Sequence, residues 1–180
     1  VNGGQSFTPL PSGNFNNFDA LLPGTASYTA APVRVSSNYS ADQAVFVVIG
    51  NPNMTSSVLC KSVNGGTTWS KLSNGARQII GFALSPVYRE SGANGTAQKT
   101  LMGNDCNGSL CTTLPVRSVN GGLTWTAVSG VPSIASYNFV FSPLIATDHT
   151  VFLLVSGSNT SGIWRSTDDG ATFSPNGSGL

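Results

Sequence analysis

One nine-residue pattern returns three times in this chain, and its spacing constrains the fold more than any other feature. Lys61-Ser62-Val63-Asn64-Gly65-Gly66-Thr67-Thr68-Trp69 recurs as Arg117-Ser118-Val119-Asn120-Gly121-Gly122-Leu123-Thr124-Trp125. It recurs again as Arg165-Ser166-Thr167-Asp168-Asp169-Gly170-Ala171-Thr172-Phe173. The opening Asn2-Gly3-Gly4-Gln5-Ser6-Phe7 is the same pattern without its first half. Successive marker glycines Gly4, Gly66, Gly122 and Gly170 stand 62, 56 and 48 residues apart. Self-similarity at such a period marks a repeat architecture, in which each unit buries its apolar face against the next.

A second element precedes each full copy. Ser36-Ser37-Asn38-Tyr39 leads through Asp42 into Val45-Phe46-Val47-Val48-Ile49, and Ser142-Pro143 leads through Asp148 into Val151-Phe152-Leu153-Leu154-Val155. The middle copy opens on Ser85-Pro86 and inserts a longer loop, 89–98, before Thr100-Leu101-Met102. These apolar runs are β-branched, aromatic and strand-sized. Each repeat therefore reads strand, turn, strand, loop, strand, glycine turn, strand, with no helix expected. The expected fold is all-β: three complete four-stranded antiparallel units over 31–72, 77–128 and 135–175, each the size of one propeller blade. Residues 1–10 read as the last strand of a preceding unit, and 11–30 as an irregular connection.

The pattern Ser-x-Asn/Asp-x-Gly-x-Thr-Trp/Phe resembles the Asp box of the Asp-box (BNR) repeat β-propellers. With the Ser-Pro and Asp-x-Thr-Val-Phe element it is most similar to sortilin-like and xyloglucanase-type secreted propellers. The resemblance implies a scaffold role for Ser62, Asn64, Gly66, Thr68 and Trp69, for Ser118, Asn120, Gly122, Thr124 and Trp125, and for Ser166, Asp168, Gly170, Thr172 and Phe173. The motif explains itself physically as well. A tight hairpin needs positive φ, which glycine supplies. Asn or Asp side chains accept from turn amides, and the aromatic ring is available for burial between sheets. Three units cannot close a ring of ordinary geometry. The chain is therefore expected to be part of a longer one, or to be completed by other protein chains, up to a fibre.

Charged residues make up 8% of the sequence, against about a quarter in ordinary domains, and the net charge is +1. No basic patch exists to displace counterions from nucleic acid, and no apolar run is long enough to span a membrane. Asn38, Asn53, Asn94, Asn107, Asn159 and Asn176 each begin an Asn-x-Ser/Thr acceptor site. A secreted or cell-surface glycoprotein is the expectation that follows. Cys106 and Cys111 bracket a turn-like Asn-Gly-Ser-Leu and suit a local disulfide better than a metal, which leaves Cys60 as a buried thiol.

Nothing in the sequence looks like a complete enzyme active site. Glu90 is the only glutamate and sits in the variable loop, where an exposed polar role is expected. Asp42 and Asp148 occupy equivalent capping positions, and Asp168 belongs to its own turn. No paired carboxylates, zinc ligands or phosphate loop are evident, so neither catalytic residue nor cofactor nor metal is expected. The leading reading is a non-catalytic extracellular structural or adhesive module, binding through loops 52–57, 89–98 or 104–112. The rival is part of a secreted glycoside hydrolase whose acids lie outside these residues.

Overall fold

The computed structural model describes residues 33–50, 57–72, 77–90, 98–107, 112–132, 136–156 and 161–176, together with the backbone of 29–30. The protein is all-β, with three antiparallel sheets following one another along the chain. Sheet 1 comprises β1 (Thr29–Ala30), β2 (Arg34–Val35), β3 (Val45–Gly50), β4 (Ser57–Ser62) and β5 (Ser70–Leu72). Sheet 2 comprises β6 (Ile79–Leu84), β7 (Leu101–Asn107), β8 (Thr112–Ser118) and β9 (Thr126–Ala127). Sheet 3 comprises β10 (Ser136–Phe141), β11 (Val151–Ser156), β12 (Gly162–Ser166) and β13 (Ser174–Pro175).

Sheets 2 and 3 are simple meanders in which neighbours in sequence are neighbours in space, and β3, β4 and β5 of sheet 1 follow one another in the same way. Sheet 1 has five strands rather than the expected four, because two short pieces, β1 and β2, share the edge position along β3. Their register on β3 differs by one residue, and β6 carries a similar irregularity on β7 between Ile79 and Gly81. A one-residue slip of this kind bends a strand and sharpens its twist.

Among the described residues two single-turn helices correct the expectation of none: α1 (Tyr39–Asp42) and α2 (Ile145–Asp148). Four residues are too few for helical periodicity to show in a sequence. Both end on a residue in the left-handed region, Gln43 at φ 48° and His149 at φ 52°. Among the described residues no helix is long and apolar enough to cross a membrane.

Strand alternation places the core between sheets. Phe46, Val48, Leu59 and Leu72 of sheet 1 cluster with Ile79, Phe82, Leu101, Val116 and Trp125 of sheet 2. On the other face of sheet 2, Met102 joins Tyr137, Phe139, Phe141, Val151, Leu153, Val155 and Phe173 of the third unit. Leu101 and Met102 are thus adjacent in sequence yet belong to different cores, as the two-residue period of a strand requires. A further cluster, Val47, Ile49, Val58 and Cys60, lies on the remaining face of sheet 1, with Trp69 packed against it.

The motif aromatics follow the same rule. Trp125 and Phe173 are 6% and 5% exposed, whereas Trp69 is only partly buried. Truncating Trp125 or Phe173 to Ala is expected to cost on the order of 3–5 kcal/mol, and Trp69 distinctly less. Chemical denaturation of the three variants checks this; equal losses at all three positions would contradict the packing described.

Candidate functional site

Each repeated turn is a network of polar side chains and backbone amides. In the first, the Ser62 hydroxyl donates to Asn64 Oδ1 at 2.9 Å and accepts from the Gly66 amide at 2.9 Å. Asn64 Oδ1 also accepts from the Thr68 amide at 2.8 Å, while its Nδ2 donates to Thr68 Oγ1 at 2.8 Å. The second turn repeats every one of these bonds through Ser118, Asn120, Gly122 and Thr124. Trp69 and Trp125 each donate their indole N–H to the carbonyl of the motif glycine.

In the third turn Asp168 replaces Asn, and one bond reverses direction. Thr172 Oγ1 now donates to Asp168 Oδ2 at 2.6 Å, since a carboxylate has no proton to give. Ser166 Oγ and the amides of Ala171 and Thr172 also donate to Oδ1. What desolvation the turn imposes works to raise the Asp168 pKa, but these donors outweigh it and hold the carboxyl down at about 2.

Two consecutive residues in each turn have positive φ: Gly65 and Gly66, Gly121 and Gly122, Asp169 and Gly170. Asp, with its short polar side chain, is among the few residues besides glycine that visit this region. The second must be glycine for another reason. A Cβ on Gly122 would stand 3.0 Å from Leu72 of the preceding sheet, and one on Gly170 would stand 2.6 Å from Met102 Sδ. Each turn is pressed against the sheet before it.

A second turn in the same repeat holds the first. The Gly65 amide donates to the Gln43 carbonyl, Gly121 to Lys99 and Asp169 to His149. Asp42 and Asp148 stiffen that second turn identically: each accepts from its serine, Ser36 at 2.7 Å or Ser142 at 2.6 Å, and from the amide two residues on. The Ser142 hydroxyl and the Thr150 amide keep the Asp148 carboxyl below its usual range. His149 Nδ1 lies 3.1 Å from Asp169 at the exposed end of the third repeat.

The middle repeat has no Asp at this place, and Glu90 takes over in another way. Its carboxylate meets Lys61 at 2.8 Å, Lys99 at 3.2 Å and the Tyr88 hydroxyl, while its amide donates to Asp42 Oδ2 at 3.1 Å. Tyr88 is fully buried, edge-on to Phe46, and its carbonyl accepts from both Ser36 and Ser37. Burial works against ionising Glu90, but Lys61, Tyr88 and Lys99 outweigh it and hold its pKa below the usual range. The same environment drives the Tyr88 pKa up, through burial first and the neighbouring Glu90 second. The expectation of an exposed polar Glu90 is therefore corrected: it is a partly buried clasp between sheets 1 and 2. Only tertiary structure brings Lys61, 29 positions away, to it.

The remaining described carboxylate, Asp105, is buried and engages Arg77 and the Gln78 amide. All six carboxylates among the described residues thus have structural partners; Asp19 lies outside them. Cys60 is a free buried thiol whose pKa burial pushes up to about 12 against a small opposing pull from Lys71. Cys106 is disulfide-bonded; its expected partner Cys111 lies outside the described residues. Of the acceptor sites, Asn176 is exposed and Asn38 half-buried ahead of α1. Asn53, Asn94 and Asn159 lie outside the described residues, as do the side chain of Asn107, most of loops 52–57 and 89–98, and residues 108–111 of loop 104–112.

The candidate binding surface lies elsewhere, where the first strands of the three sheets converge. Arg34 of β2, Ala83 and Leu84 of β6 and Phe139 to Phe141 of β10 line a groove of about 320 Å³. An adjoining recess of about 250 Å³ adds Gly81, Asn104 and Tyr137. Asn104 Nδ2 donates to the Tyr137 carbonyl at 2.9 Å and so joins sheets 2 and 3 at the groove wall. Arg34 is exposed and donates to the neighbouring Val33 carbonyl. The repeats did not single it out because it lies outside both turn motifs.

No protein-family model matches the chain, and no curated protein sequence matches it significantly.

Two expectations follow. Asp168→Asn should keep the turn, with a stability change within about 1 kcal/mol, because Asn64 and Asn120 make the same network with an amide. It should also remove an acid-dependent loss. Asp168 has a folded pKa below its unfolded value, so its stabilisation is complete above about pH 4 and lost as pH falls through about 2. Denaturation of both proteins between pH 7 and 2 reads this directly, and identical acid profiles would refute it. Glu90→Ala should cost on the order of 2 kcal/mol or more, by leaving Lys61 partly buried and unpaired; a neutral effect in the same assay would show the clasp to be unimportant.

Proposed function

We propose that the chain is a non-catalytic scaffold, a segment of an Asp-box β-propeller that works outside the cell or at its surface as a structural or adhesive module. The observation that carries this reading is the use to which the polar residues are put. Ser, Asn, Asp and Thr of all three motifs are spent on turn amides and one another, and each described carboxylate stabilises a turn or joins two strands or sheets. General acid–base or nucleophilic chemistry on a glycosidic bond needs two carboxyls facing one substrate across about 5–10 Å. Carboxylates held in separate turns serve the scaffold instead.

The propeller reading is supported by the meandering sheets, by their face-to-face stacking and by the convergence of the first strands on one groove. In such an arrangement the groove is the place for recognition, and partners are other protein chains or glycans. Low charge and exposed Asn176 suit a glycosylated surface.

Incubation with aryl glycosides and with β-glucans, xyloglucan included, should release sugar no faster than buffer. Turnover that disappears on changing any one carboxylate to its amide would overturn the non-catalytic reading. Expression through a eukaryotic secretory pathway should yield a mass that falls on deglycosylation; a mass equal to the bare polypeptide would remove the glycoprotein part of the proposal.

A further inference from the structure

The geometry of the repeated turn creates a chemical liability. Each turn needs positive φ at two successive residues, and in the first two repeats glycine fills both. The first of these glycines directly follows the asparagine that organises the network, which leaves the pairs Asn64-Gly65 and Asn120-Gly121. Asn-Gly is the pairing most prone to lose ammonia, because no side chain on the glycine hinders its nitrogen. The reaction needs only water. The glycine nitrogen gives up its proton to solvent and bonds to the asparagine Cγ. The Cγ–Nδ2 bond breaks, Nδ2 leaves with an added proton as ammonia, and a five-membered succinimide remains. Water opening the former side-chain carbonyl gives aspartate. Water opening the backbone carbonyl gives isoaspartate, whose main chain is one atom longer.

Both reacting groups are held in this fold. The Gly65 N–H donates to the Gln43 carbonyl at 3.1 Å and the Gly121 N–H to the Lys99 carbonyl at 3.0 Å, so neither proton is free. Asn64 Oδ1 accepts from Ser62 and from the Thr68 amide, and its Nδ2 donates to Thr68 Oγ1. Asn120 is held in the same way by Ser118 and Thr124. Making Cγ tetrahedral and expelling Nδ2 disrupts that set. Burial is not the guard, since both asparagines are only half-buried. The third repeat shows what an aspartate does at this place: Asp168 keeps the turn, with the Thr172 hydroxyl donating to it. An isoaspartate has no such precedent, and its extra backbone atom displaces the glycine amide that the serine hydroxyl accepts.

We propose that Asn64 and Asn120 are deamidation sites guarded by their own turns, which react when the turn opens and re-close only on the aspartate product. The inference rests on the turn bonds alone and is independent of the scaffold reading.

The test keeps the unglycosylated full chain in mildly alkaline buffer at body temperature, either folded or in guanidinium chloride, and follows each site by peptide mass spectrometry. Asn176, which is exposed and also precedes a glycine, is the reference. In the unfolded chain the three sites should react at comparable rates. In the folded chain Asn64 and Asn120 should fall about tenfold or more behind Asn176, because at least two net hydrogen bonds must open first. Thr68→Val is nearly isosteric at an exposed position and removes the acceptor of Asn64 Nδ2. It should quicken Asn64 about fivefold and leave Asn120 in the same molecule unchanged, with circular dichroism confirming the fold. Should that variant unfold, the comparison of folded and unfolded parent chain still decides. Folded-state rates at Asn64 and Asn120 equal to that of Asn176 would overturn the inference, as would a folded Thr68→Val chain in which Asn64 reacts no faster.

Discussion

Everything in this fold depends on a serine hydroxyl that accepts the amide of a glycine four residues on. That bond, at 2.8–2.9 Å in all three repeats, closes a turn with two successive residues in the left-handed region. Closing the turn lays a bare glycine backbone against the preceding sheet, where Leu72 or Met102 leaves no room for a side chain. Without that close approach the aromatic three residues further on would not reach the core between the sheets. Local hydrogen bonding and long-range packing are thus one device.

The device tolerates chemical exchange at its centre. Asn and Asp both serve, because the turn asks chiefly for an acceptor at Oδ1, and the second atom can either donate to a threonine or accept from it. The neighbouring turn shows greater latitude. An Asp stiffens it in repeats 1 and 3, whereas repeat 2 uses Tyr88 and Glu90 to grip the sheet before it. A buried ion cluster is weak evidence for net stability. Its contribution here is positional: a carboxylate between two lysines fixes how sheet 2 sits on sheet 1.

This division of labour bears on function. In the scaffold reading proposed above these polar groups serve the turns, and the groove beside the first strands is the proposed place of recognition. Those strands contain neither motif. They are the edge strands of sheets 1, 2 and 3, and they come together because the stack brings successive edges alongside one another.

The amino-acid sequence by itself determined the all-β class and the repeated antiparallel sheets of the described residues. Alternating apolar residues and a recurring glycine turn are local signals, readable within a dozen positions of Ser62, Ser118 or Ser166. It also marked Asp42 and Asp148 as equivalent. Three things were decided only by tertiary structure: the clasp at Glu90, the Arg34 groove and the difference between Trp69 and its two counterparts. Lys61 and Glu90 are distant in sequence, and Trp69 differs from Trp125 only in what packs over it. A short-range pattern records which face of a strand is apolar; what comes to cover that face depends on the stacking of whole sheets.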